Sequence, residues 1–157
     1  MDWVVQELAA LSLGDKRLNE RAIKVLTQLS ANPTDSIPVA CRGAAETKAA
    51  YRFFDNDKVV PEEIQKTHFE ATLGRMKNHP VVFIPQDTTV LNFSTQYDRE
   101  NAGPTTKDST NGIHLHCAIA VTPDKICLGS LSVKQWYREK LQKLTRKERS
   151  KKDYHIR

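Results

Sequence analysis

Pro80-Val81-Val82-Phe83-Ile84-Pro85-Gln86-Asp87 is where the pattern of this chain changes. Four apolar residues between two prolines are too few for a helix and fit a short strand buried on both faces. Upstream, apolar residues recur at helical spacing. Downstream, they alternate in twos.

The helical part opens with a short segment at residues 2–11, with Asp2 as N-cap and Trp3, Leu8 and Leu11 expected to face inward. Gly14 breaks it, and Asp15 caps a second helix reaching about Ser30. There Leu18, Ala22, Val25, Leu26 and Leu29 form one apolar stripe, with Lys16, Arg17, Arg21 and Lys24 off it. Asn32-Pro33-Thr34-Asp35-Ser36 has loop composition. A third helix is predicted from Ala44 to Phe54, with Tyr51, Phe53 and Phe54 supplying bulk. Pro61 suits the first turn of a fourth, running towards Lys77. Beyond the opening strand, at 81–86, further strands are predicted at 90–93, 113–121 and 126–133. A polar loop from Tyr97 to Gly112 and a turn at Thr122-Pro123-Asp124-Lys125 separate them. Helices followed by an antiparallel meander give an α+β class, with a helical domain at 1–79 and a strand-rich domain at 80–157.

Composition narrows the function classes. With 39% hydrophobic residues among 157, the chain can bury a core. No apolar run approaches the ~18 residues that span a bilayer. The start, Asp2-Trp3, lacks the basic and apolar segments of a signal peptide. Cys41, Cys117 and Cys127 are an odd number without CxxC spacing, so a reducing, cytoplasmic setting is expected. The net charge of +5 is a property of the tail: residues 134–157 carry ten Lys or Arg against three acids, whereas 1–58 hold eight of each sign. The tail can hold phosphate without sequence preference, or simply be a solvated end. A nucleic-acid site in the helical part must come from local clustering.

Arg17 and Arg21 stand four apart and share a helix face, and Lys48 and Arg52 repeat that spacing on the next helix. Arginine grips phosphate or reads guanine in the major groove, so these four are candidate contacts to double-stranded DNA. Read from the residues alone, pairing of the arginines with Asp15, Glu20 or Glu46 on a solvated face is the better account. Asp87 closes the apolar strand, a rigid place for a carboxylate that binds a hard divalent cation. The competing reading is a turn-initiating Asp that caps Thr88 and Thr89. His114 and His116 point the same way on their strand and Cys117 the other, so no closed zinc site is expected.

Four motifs occur in order: Leu13-Gly14-Asp15-Lys16-Arg17-Leu18 with Arg21; Lys48-Ala49-Ala50-Tyr51-Arg52-Phe53-Phe54-Asp55-Asn56; Gln86-Asp87-Thr88-Thr89; and Gly112-Ile113-His114-Leu115-His116, leading to a hairpin ending at Trp136 and Arg138. Together they resemble insertion-sequence family four transposases, the group that includes the transposase of transposon five. The resemblance runs from about Trp3 to Arg138. It implies an N-terminal helical domain that grips the transposon end, with Arg17, Arg21, Lys48 and Arg52 facing DNA. It also implies the first strands of a ribonuclease-H-like core, in which Asp87 takes the first place of an Asp, Asp, Glu triad that uses Mg²⁺ to cut and join DNA. The intact relatives work as dimers on paired ends. The second Asp and the Glu have no match here. The expectation is a truncated transposase, inactive in cleavage alone, with a DNA-binding regulator or an inactive remnant as alternatives. Arg146-Lys147-Glu148-Arg149-Ser150 echoes a family element weakly. Tyr137-Arg138-Glu139-Lys140 matches the letters of the catalytic-glutamate signature without its spacing.

Overall fold

The computed structural model describes residues 2–93, 101–105 and 111–138. The basic tail from residue 139 onward, with its Arg146–Ser150 element, and much of the 97–112 segment expected to be a loop lie outside them. The chain divides into two compact units. The first takes Met1–Pro85 and Ala118–Ser132, the second the described residues within Gln86–Cys117 and from Val133 on. No helix among the described residues is long and apolar enough to cross a membrane.

The first unit is built on five helices: α1 (Trp3–Glu7), α2 (Lys16–Ala31), α3 (Ile37–Cys41), α4 (Ala44–Phe54) and α5 (Pro61–Met76). The expected caps form. The Asp2 carboxylate accepts the Val4 N–H at 3.1 Å, and Asp15 accepts that of Arg17 at 2.9 Å, each satisfying a free donor of a first turn. Gly14 takes φ +74° between α1 and α2, a conformation that suits glycine. The α2 stripe packs as read, with Ala22 and Val25 buried and Leu18, Leu26 and Leu29 against them. α2, α3 and α4 pack on one another, and α1 packs on both α2 and α5.

Two expectations about bulk are corrected. Trp3 is 54% exposed, and Val4 takes the inward place on α1. Of the three aromatics on α4, Phe53 enters the core, while Tyr51 and Phe54 stay about half exposed. The 3.6-residue turn allows one face of α4 to meet α2 and α3, and Ala50 and Phe53 occupy it.

Three antiparallel strands, β1 (Gln86–Asn92), β2 (Gly112–Val121) and β3 (Cys127–Trp136), form a sheet in that order. The 122–125 turn forms as expected: the Lys125 N–H reaches the Thr122 carbonyl at 2.9 Å. The 81–84 run does not become a doubly buried strand. Val81, Phe83 and Ile84 are 46–57% exposed, and only Phe83 bridges, to Val121. Pro85 has no N–H to donate, so the ladder becomes regular only after it. β1 is an edge strand exposed along its whole length, and the expected break between 86 and 90 is absent.

On β2 the even-numbered face is the more buried: His114, Ala118 and Ala120 are enclosed, while Ile119 is exposed. His114 stacks on Trp136 with ring centroids 5.3 Å apart. Within the first unit, β3 meets α5 closely. Arg75 Nε donates to the Leu128 carbonyl at 2.6 Å, and the Ser130 N–H donates to His68 Nε2 at 2.9 Å. Both α5 residues also engage the buried Glu7 of α1: His68 through Nδ1, and Arg75 through two nitrogens at 2.6 and 3.1 Å. Burial pushes the Glu7 carboxyl up, but the hydrogen bonds from Arg75 and His68 outweigh it and hold the group below the usual carboxylate range.

Candidate nucleic-acid interface

α2 and α4 pack side by side, so their off-core faces border a shared concavity of about 820 Å³. Arg17 and Arg21 line it from α2, Lys48 and Arg52 from α4. Spacing within each helix placed each pair on one face, and helix packing brings the two pairs together. Lys58 completes the lining. The Asn56 side chain accepts the Lys58 N–H at 3.0 Å in a tight turn just after α4. Sequence reading missed Lys58; the Asn56-Asp57-Lys58 turn was the signal available.

This concavity holds five basic side chains against one acid, Asp15. The charge of residues 1–58 balances overall, but here it does not. Local clustering, the condition for a polyanion site in this part of the chain, is met.

The five cations are held differently. Arg17 folds back on Asp15, its Nε and Nη2 reaching the carboxylate at 3.3 and 3.1 Å. That contact lowers the pKa of Asp15 and raises that of Arg17. Arg21 donates to Glu46 at 2.7 Å, and Lys24 donates to its other oxygen at the same distance. Hydrogen bonding from Lys24 is the largest influence on the Glu46 carboxyl; burial opposes it, and the further hydrogen bond from Arg21 helps to hold the group low. The ion-pair reading of the two arginines is therefore realised with Asp15 and Glu46, while Glu20 pairs with Lys16. Arg17 is largely exposed in its pair, and a solvent-facing pair of that kind is weak and exchanges readily for a phosphate; the Arg21–Glu46 pair is part-buried. Lys48 and Arg52 are exposed and have no hydrogen bond or ion pair among the described residues. They stand ready for a ligand with no partner among the described residues to displace.

Asp87 stands in the second unit, inside β1 rather than at a strand end, and it is exposed. Its Oδ1 accepts the Thr88 N–H at 2.8 Å, half of the local capping role considered above. Across the ladder, His116 meets Thr88 Oγ1 at 2.8 Å and Gln86 Oε1 at 3.3 Å. Among the described residues no group of three His, Cys, Asp or Glu side chains converges. Mg²⁺ needs near-octahedral oxygen ligation. One exposed carboxylate, with no second acidic side chain converging on it among the described residues, does not fit that demand.

Residues 1–59 match the family model described as transposase DNA-binding. The matched segment takes in α1 to α4 and all five cations of the concavity. This supports an N-terminal portion of the transposase type, a transposase-related DNA-binding role, and DNA as partner.

Proposed function

We propose that this chain binds double-stranded DNA at the ends of a mobile element, through the basic concavity between α2 and α4. One observation carries the reading: the four cations nominated by spacing, and Lys58 with them, line one surface inside the segment that matches a transposase DNA-binding model. Lys48 and Arg52 are the base-reading candidates, being long, exposed and unpaired among the described residues. Arg17 and Arg21 are positioning cations, trading a carboxylate for the phosphate backbone.

The finer assignment rests on the motifs. We assign the chain to the insertion-sequence family four lineage, with its strands as the opening of a ribonuclease-H-like core and Asp87 at the first catalytic carboxylate position. Mg²⁺ would supply the charge stabilisation for DNA cleavage and strand transfer in such a core, with the protein acting as a dimer on paired ends. The activity that the basic concavity supports is DNA-end binding, which also suits a regulator that occupies ends.

The test is selection from a randomised duplex pool, followed by anisotropy at fixed salt on the enriched sequence. One enriched sequence, bound more tightly than random duplex and weakened by added salt, is the expected result. Failure to retain any duplex at low salt would remove the assignment.

A further inference from the structure

α4 has a second groove on its other side. Pro38, Ala44, Tyr51 and Phe54 line an open concavity of about 940 Å³, and Lys48 and Arg52 line it too, against one acid, Asp55. These two cations thus form a crest between a basic groove and an aromatic one. Tyr51 is 50% exposed and Phe54 49%, so two aromatic rings present free surface beside two positive charges that are unpaired among the described residues.

Resting on the duplex-binding reading above, we propose that this aromatic groove is a subsite for unpaired nucleotides continuing from the bound duplex. Bases would stack on Tyr51 and Phe54 while their phosphates sit at Lys48 and Arg52. Aromatic faces interleaved with cations are what a single strand needs, because every base has a π-face and every linkage a charge. Ala44, at the start of α4, adds little bulk, so a strand can approach the helix closely.

Charge argues against a second copy of the chain as occupant. The lining sets two cations, Lys48 and Arg52, against Asp55, and a self-complementary interface would repeat that net positive charge on both sides, whereas a nucleotide strand neutralises it. An acidic amphipathic peptide would satisfy the charge. The shared crest favours nucleic acid, because one strand crossing it meets both grooves with the same two cations.

The test compares a blunt duplex of about twenty base pairs with the same duplex bearing a short thymidine overhang at either end, by anisotropy on the full chain at fixed salt. The overhang should tighten binding about fivefold or more at the end that reaches the groove. Tyr51→Phe should keep that gain. Tyr51→Leu should lose it while binding the blunt duplex as the wild type does, which also shows that the variant is folded. A 2-aminopurine in the overhang should be quenched by the wild type and by Tyr51→Phe, but not by Tyr51→Leu. Equal affinity for blunt and overhanging duplexes overturns the proposal, and so does a gain that survives Tyr51→Leu. An acidic amphipathic peptide that binds in a Tyr51-dependent way, with no overhang gain, would give the groove to a protein instead. Binding of single-stranded oligothymidine with the same Tyr51 dependence, but of no duplex, would keep this subsite and sink the duplex reading. Binding of neither overturns both.

Discussion

Replacing Arg75 by Met should loosen β3 from the helices of the first unit. In the wild type the guanidinium makes two contacts to Glu7, at 2.6 and 3.1 Å, one to the Leu128 carbonyl at 2.6 Å and one to Thr72 Oγ1 at 3.1 Å. Met keeps most of the aliphatic bulk and removes all four. Glu7 then remains almost fully buried, its side chain 8% exposed, with His68 as its remaining partner. Breaking a buried ion pair from one side costs about 3–5 kcal/mol. The Arg75 side chain is 38% exposed, so water can replace part of what is lost, and about 2–3 kcal/mol is the working figure. For a chain of this size that corresponds to a fall in Tm of roughly 4–12 °C. Thermal and denaturant melts supply the global number. Hydrogen exchange supplies the local one, with the amides of residues 127–131 losing more protection than those of α2. The double variant Glu7→Gln with Arg75→Met should be less destabilised than the two singles added together, because the buried charge goes with its partner. A loss under about 1 kcal/mol, with residues 127–131 as protected as before, would show that the Glu7–Arg75 contact does not hold β3 in place.

The same carboxylate makes stability depend on acid. Because the folded pKa of Glu7 lies below its usual 4.5, its contribution is complete above that value and is lost as pH falls through the folded value. Glu7→Gln should therefore flatten the acid limb of the stability curve; an unchanged limb refutes this. Gly129→Ala should destabilise by about 1–3 kcal/mol in the same melts, by the usual cost of backbone strain, because φ is +135° and a Cβ would lie 2.3 Å from Thr72 Oγ1. A neutral result would mean that β3 shifts freely there. Arg52→Ala should weaken duplex binding by about 1–3 kcal/mol if it reads a base. Arg17→Ala should weaken it less, since its guanidinium is already engaged by Asp15. Equal losses in anisotropy at one salt concentration would contradict the division into reading and positioning cations.

The helices that carry their own signals were legible. α2, α4 and α5 begin and end within a residue or so of the ranges read from Asp15, Gly43 and Pro61. α3 was not foreseen, because Ile37-Pro38-Val39 carries a proline and two β-branched residues. Its five residues are held by packing on α2 and α4 rather than by propensity. The 81–84 run shows the converse: an apolar stretch says that burial is favourable, not that a layer is there to provide it. At the interface, spacing within one helix correctly placed Arg17 beside Arg21 and Lys48 beside Arg52. Glu46 was named as one partner open to the arginines, but its choice of Arg21, 25 positions away, depends on how α2 meets α4. The Glu7 network was out of reach, since its partners lie 61 and 68 positions along the chain and no spacing links them.

Glu46 serves Arg21 and Lys24 at once, each at 2.7 Å, and this sharing bears on how such a chain can evolve. Exchanging Arg21 for a neutral residue would leave a carboxylate beside the basic concavity with one cation to offset it. A ligand held there through its phosphates would then bind more weakly whatever its sequence. Drift at position 21 therefore selects a companion change at 46.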